Sequence, residues 1–195
     1  MTFTLVGFLV VLSTLFAVID ILGSIPLIID LRGKYTHVHS LKSTVIATLV
    51  LIISLFVGQH IFAALGLDIA AFGIAGAIIL FILGAEMVLN IEIMKSDPNV
   101  SKDATIFPLA FPLLAGPGSI STVLSLSSMY SYSEIIVAII VNMILVYIVL
   151  KSTDWISDKL GTDGLMILRK MFGVILLALS SQMFISNLKI LWFHL

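Results

Sequence analysis

Six stretches of this 195-residue chain are apolar for long enough to cross a bilayer, at about 4–29, 45–65, 69–93, 107–128, 135–153 and 171–191. A spanning helix needs about 20 predominantly apolar residues. Inside hydrocarbon every backbone N–H and C=O must be satisfied within the structure, which leaves few folds open. The apolar residues are not confined to one helical face, as expected where lipid rather than water surrounds the bundle. Composition agrees: 60% of residues are hydrophobic and 11% charged, against about 45–50% and about 25% for an ordinary soluble domain. A water-soluble enzyme is excluded. Six helices would use roughly 120–130 residues, so residues 1–195 form a single membrane domain with short connections and no extramembrane domain.

The positions of the charges say more than their sum of −1. The connections at 30–43, 95–103 and 151–170 carry nine of the ten Lys and Arg residues, and the alternate set, including both termini, holds Lys189 alone. Basic loops stay in the cytoplasm, so both termini are expected on the non-cytoplasmic side. The N-terminus has no basic n-region and no small-residue cleavage site, and is expected to be a retained helix rather than a signal peptide. Cysteine is absent, which removes thiol electron carriage, disulfides and cysteine-based metal sites. No cofactor and no metal site are expected.

The two halves, about 1–95 and 104–195, echo each other at an offset of 96 residues: Asp20-Ile21-Leu22-Gly23 falls on Gly116-Pro117-Gly118-Ser119, and Glu86-Met87 on Gln182-Met183. A unit with an odd number of helices must insert in opposite senses, the inverted-repeat design of many secondary transporters. Each half opens with an interrupted span. In the first, Asp20, Gly23, Ser24 and Pro26 lie deep in apolar sequence; in the fourth, Pro112, Gly116, Pro117, Gly118 and Ser119 do. Proline lacks the amide donor and glycine lowers the cost of leaving helical geometry. A proline kink would account for one such span. Two at matched positions point to irregular backbone lining a polar cavity, because such backbone cannot face lipid.

Asp20 at mid-membrane costs roughly 2.5–3.5 kcal/mol on insertion scales, so it is expected to bind, to couple or to pair with another helix. Ser119, Ser121, Thr122, Ser125, Ser127 and Ser128 make the fourth span rich in hydroxyls, which also suits close helix packing. Ser119 adjoins the break and is the favoured binding residue among them. Glu86 is a second candidate for proton coupling, although a carboxyl near a helix end also reaches interfacial water. Gly73, Gly76 and Gly84 read as a packing seam, and His37, His39, His60 and His194 as solvated side chains. Asn142 stands inside the fifth span with no ion-pair candidate nearby in sequence.

Several activities lack their residues. The one Gly-Lys pair, Gly33-Lys34, is followed by Tyr35, so there is no nucleotide-phosphate loop. There is no His-Glu-x-x-His zinc motif and no Gly-x-Ser-x-Gly elbow. No basic patch with interleaved aromatics suggests nucleic acid. A catalytic role is not expected.

At Asp20, Gly23 and Pro26, and again at Pro112, Leu113, Ala115, Gly116 and Pro117, the sequence resembles the MarC family (UPF0056) of six-helix bacterial inner-membrane proteins. Arg169, Met171, Gly173, Gln182 and Met183 extend the resemblance through the last helix, so it covers essentially the whole chain. The family's proline after the aspartate is Ile21 here, which predicts a milder first break. The resemblance implies an inner-membrane location and transport of small neutral amino acids such as glycine and alanine.

The expected fold is all-α: six transmembrane helices in two inverted three-helix repeats, with helices 1 and 4 discontinuous. The expected function is secondary transport of a small polar metabolite, held by Asp20, Gly23, Ser24, Pro26, Gly116, Pro117, Gly118 and Ser119, with Asp20 or Glu86 coupling. A non-transporting scaffold or assembly component is the alternative. The expected partners are membrane lipid and a small solute; a homo-oligomer is left open.

Overall fold

The computed structural model describes residues 3–19, 25–34, 38–91 and 105–193. Among these the chain is all-helical: α1 (Leu5–Ile19), α2 (Ile25–Lys34), α3 (Ser40–Ala64), α4 (Ile69–Leu89), a π-helical segment (Thr105–Leu114), α5 (Pro117–Leu126) and α6 (Tyr132–Phe193). Four stretches are long and apolar enough to cross a membrane: Ser40–Ala64, Ile69–Leu89, Tyr132–Thr153 and Asp163–Trp192. Large apolar side chains cover the outside, with Val6 and Trp192 73% and 74% exposed. Water would not tolerate that surface, and a bilayer requires it. The chain is a multi-pass membrane protein.

α1 turns one stripe inward, Gly7, Val11, Leu15 and Ile19, the four-residue spacing of a single helical face. It is about 22 Å long, short of the roughly 30 Å hydrocarbon core, and helix resumes with α2 at Ile25. The expected first break, with Asp20, Gly23 and Ser24, lies outside the described residues. α3 buries Ser43, Thr44, Ala47, Leu51, Leu55 and Gly58. α4 is capped by Asp68, whose carboxylate accepts from the Ala70 N–H at 2.6 Å, and it ends at Asn90 in the left-handed region, φ 56°.

The helix is interrupted at 115–116, as the sequence predicts. Pro108 and Pro112 remove two donors from the i→i−4 ladder, and the segment takes the wider π pattern, closing with the Ala115 N–H on the Ala110 carbonyl at 3.0 Å. α5 then starts afresh with Gly116 as N-cap and Pro117 in its first turn, where a missing N–H costs nothing. Every residue from 112 to 120 is buried. The break is at the centre of the molecule.

The connection expected at 151–170 is helical instead. α6 runs from the Tyr132–Thr153 stretch into the Asp163–Trp192 stretch with one departure, at Gly161 (φ 62°, ψ −178°). The Lys159 ammonium lies 4.4 Å from the Trp155 ring centroid, an i,i+4 pair of the kind that supports helix. Asn142, 2% exposed, donates through Nδ2 to the Leu12 carbonyl of α1 at 3.2 Å. Such interhelical bonds in membranes are worth about 0.6 kcal/mol on average.

Two threonines tie distant parts of the chain together. Thr4, just before α1, donates from N and Oγ1 to Glu134 in the first turn of α6, at 2.7 and 2.8 Å. Thr105, opening the π segment, accepts at Oγ1 from the His39 N–H at 3.0 Å and at its carbonyl from Ser43 Oγ at 2.8 Å. The start of α1 is thus held by α6, and the start of the π segment by α3.

Candidate functional site

The interrupted span borders a cavity of about 680 Å³. Its deep end is built from Ala17, Val18 and Ile19 at the close of α1, Pro112 and Leu113 of the π segment, and Gly116 to Ser119 at the start of α5. α4 and the second arm of α6 supply the facing walls. Toward one end of the bundle the lining continues through Gln59, Asp68 and Ser128. Asp68 and Ser128 are exposed, so the cavity reaches the surface at the end that carries the 65–68 and 127–131 turns.

Two features let α5 begin in the cavity wall. Gly76 of α4 has no side chain, and a Cβ there would overlap the ring of Pro117. Gly116 is bare because a Cβ would run into the Pro112 carbonyl oxygen. The first intrahelical bond of α5 is donated by Ile120 to the Gly116 carbonyl at 2.9 Å. The Gly118 and Ser119 N–H groups precede that ladder and belong to the positive end of the helix, which favours an anionic group. The Ser119 hydroxyl donates back across the break to the Leu114 carbonyl at 3.1 Å. It fixes the break.

The walls are mostly apolar, with neutral polar groups set among the aliphatic side chains. Hydroxyls come from Ser121, Thr122, Ser125, Ser128 and Ser186, and carboxamides from Gln59, Gln182 and Asn187. Asp68 is the single charged side chain among the described lining residues, and its carboxylate is engaged in capping α4. Gln59 donates to Ser127 Oγ at 2.9 Å, joining the ends of α3 and α5. Asn187 donates from Nδ2 to the Met183 carbonyl at 2.8 Å, and its amide fills the space beside Gly73. Dipoles of this kind orient a small polar or zwitterionic solute without demanding a net charge.

Four of the sequence-predicted residues, Gly116, Pro117, Gly118 and Ser119, line the cavity together. Pro26 lies in the first turn of α2; its side chain, like Asp20, Gly23 and Ser24 entirely, is outside the described residues. Ile19, the residue before Asp20, is in the cavity wall. Glu86 is half-buried on α4 and takes no part in the lining. Sequence reasoning did not assign Gln59, Asp68, Met183, Ser186 or Asn187 to the site. Gln59 and Asn187 carried a signal, each a carboxamide in an otherwise apolar turn near a span end.

A helical bundle with four stretches able to cross a membrane, and a cavity beside an interrupted helix, defines a multi-pass membrane protein. The profile of the MarC family integral membrane proteins matches residues 5–192, and the chain belongs to that family. It is 32% identical over 190 residues to a UPF0056 membrane protein of Pyrococcus horikoshii, covering 93% of this chain and 94% of the relative. A UPF0056 membrane protein of Pyrococcus abyssi is 34% identical over the same length and the same shares of each chain. One of Buchnera aphidicola is 28% identical, covering 90% of this chain and 92% of the relative. No solved structure matches the chain.

Proposed function

We propose that this protein is a secondary transporter of small polar metabolites, with neutral amino acids as its substrates. The observation that carries this reading is the 680 Å³ cavity whose lining includes both the helix break and exposed residues at one end of the bundle. The solute carboxylate meets the Gly118 and Ser119 amides at the start of α5. Asp20, one residue beyond the lining residue Ile19, receives the ammonium or a coupling cation. Coupling is assigned to Asp20 rather than to Glu86, which is not in the wall.

The architecture we propose is the pair of inverted three-helix repeats, 1–95 and 104–195. It is supported by the reciprocal contacts of Thr4 with Glu134 and of Thr105 with His39 and Ser43. In each pair the opening of one half is held by the second helix of the other. The excess of Lys and Arg on the 30–43, 95–103 and 151–170 connections supports an orientation in a bacterial inner membrane with the cavity mouth on the non-cytoplasmic side. The chain has no cysteine, so Ser125→Cys provides a single probe in the cavity wall. A membrane-impermeant thiol reagent added outside intact cells is expected to label it. Labelling only from the cytoplasmic face would reverse the orientation.

Transport itself is tested in vesicles reconstituted with the purified protein. Labelled alanine or glycine is expected to enter saturably and faster when the lumen is preloaded with the unlabelled solute. Asp20→Asn is expected to lose at least most of that exchange. A scaffold shows no saturable exchange with the wild-type chain, and a channel shows flux without the preloading effect. Either result rejects a carrier.

A further inference from the structure

We infer that Met183 sets the size of the solute that the cavity accepts. The inference rests on the transport reading above and concerns the same cavity. Gly118, in the first turn of α5, has no side chain, and the position its Cβ would take lies 3.0 Å from Met183 Cε and 3.1 Å from Met183 Sδ. Val18 Cγ1 is 3.7 Å from the same point. Gly118, Met183 and Val18 all line the cavity. The thioether of the last span therefore lies over the turn whose amides are the anchor for a carboxylate, with Val18 of α1 closing the other side.

An amino acid anchored there by its carboxylate carries its side chain two bonds away, and that side chain has to share the space with Met183. The backbone under the methionine is pinned: Asn187 donates to the Met183 carbonyl at 2.8 Å, and Gly73 packs against the Asn187 amide. The side chain above it is unbranched and flexible, the property that lets methionine fit irregular gaps. A pinned backbone with an adaptable tip makes a gauge. It passes glycine and alanine by leaning aside and meets a branched side chain with the bulk of Sδ and Cε.

The test is competition by glycine, alanine, valine and leucine against labelled alanine uptake in reconstituted vesicles. It compares the wild-type chain with Met183→Ala, Met183→Phe and the nearly isovolumetric Met183→Leu. Inhibition by the wild-type series is expected to weaken as the side chain grows. Met183→Ala is expected to raise the potency of leucine relative to glycine on the order of 10-fold, the scale of one methylene in an apolar pocket. Met183→Phe is expected to shift the order the other way, and Met183→Leu to leave it near wild type. If the wild-type chain transports alanine and the order is unchanged in both Met183→Ala and Met183→Phe, the inference is wrong and the carrier stands. If the wild-type chain moves none of the four, the carrier reading falls and the inference falls with it.

Discussion

Gly116→Ala is expected to yield no folded, monodisperse protein in detergent. The backbone angles do not forbid alanine, since φ −78° and ψ 175° are open to any residue. The obstacle is steric: a Cβ at this position runs into the Pro112 carbonyl oxygen. The carbonyl is backbone, the new Cβ is fixed rigidly to backbone, and every residue from 112 to 120 is buried, so neither side has room to withdraw. Overpacking a core by a side chain that can shift costs about 1–3 kcal/mol. A backbone collision at the centre exceeds that and approaches the 5–15 kcal/mol or so by which whole domains are stable. Gly58→Ala is the control. Its Cβ would lie 2.7 Å from Leu124 Cδ2, the tip of a flexible side chain, and the variant is expected to fold with a small drop in melting temperature. Equal melting temperatures for Gly116→Ala and the wild type would show that the break is looser than described.

Glu134→Ala is expected to lower the melting temperature more than any other single replacement at the 65–68 and 127–134 end, and Glu134→Gln to fall between it and wild type. Ser131 and Glu134 form a capping box, in which the Ser131 N–H donates to Glu134 Oε2 at 2.8 Å and the start of α6 is closed. The other carboxylate oxygen accepts from Thr4 N and Oγ1 at 2.7 and 2.8 Å. Gly7 leaves the room for it, because a Cβ there would lie 2.6 Å from Glu134 Oε1. The residue is 2% exposed, so alanine leaves two backbone donors and a hydroxyl without their acceptor, which is the costly way to lose a hydrogen bond. Glutamine keeps one acceptor oxygen and turns its amide nitrogen, a donor, toward another donor. Melting curves of the three proteins in one detergent decide the ranking. Glu134→Gln at or below Glu134→Ala would contradict this account.

Length and hydropathy made the helices readable because the bilayer removes most alternatives: an apolar run of the right length has little else to form. The interruption at 115–116 was readable for the same reason, since Pro112, Gly116 and Pro117 have few other uses at that depth. The continuation of α6 through residues 154–160 was not. Charged residues in a short polar stretch look like a loop, and the helix persists because Gly161 alone turns the backbone. The cavity walls were half legible. Gly116 to Ser119 announce themselves by composition, whereas Met183 and Val18 are ordinary apolar residues whose role comes from lying against Gly118. Glu134 carries no local sign of its role because its partner, Thr4, is 130 residues away. Separation of that size leaves no local trace.

That separation also sets a timetable for synthesis. Thr4 cannot meet its partner until Glu134 has been made, 130 residues later. At the usual pace of translation this is a wait of roughly 7–26 s. During it α1 has its hydrophobicity and, once made, its packing against α5 to hold it, and chains cut short before residue 134 would lack the Thr4 fastening.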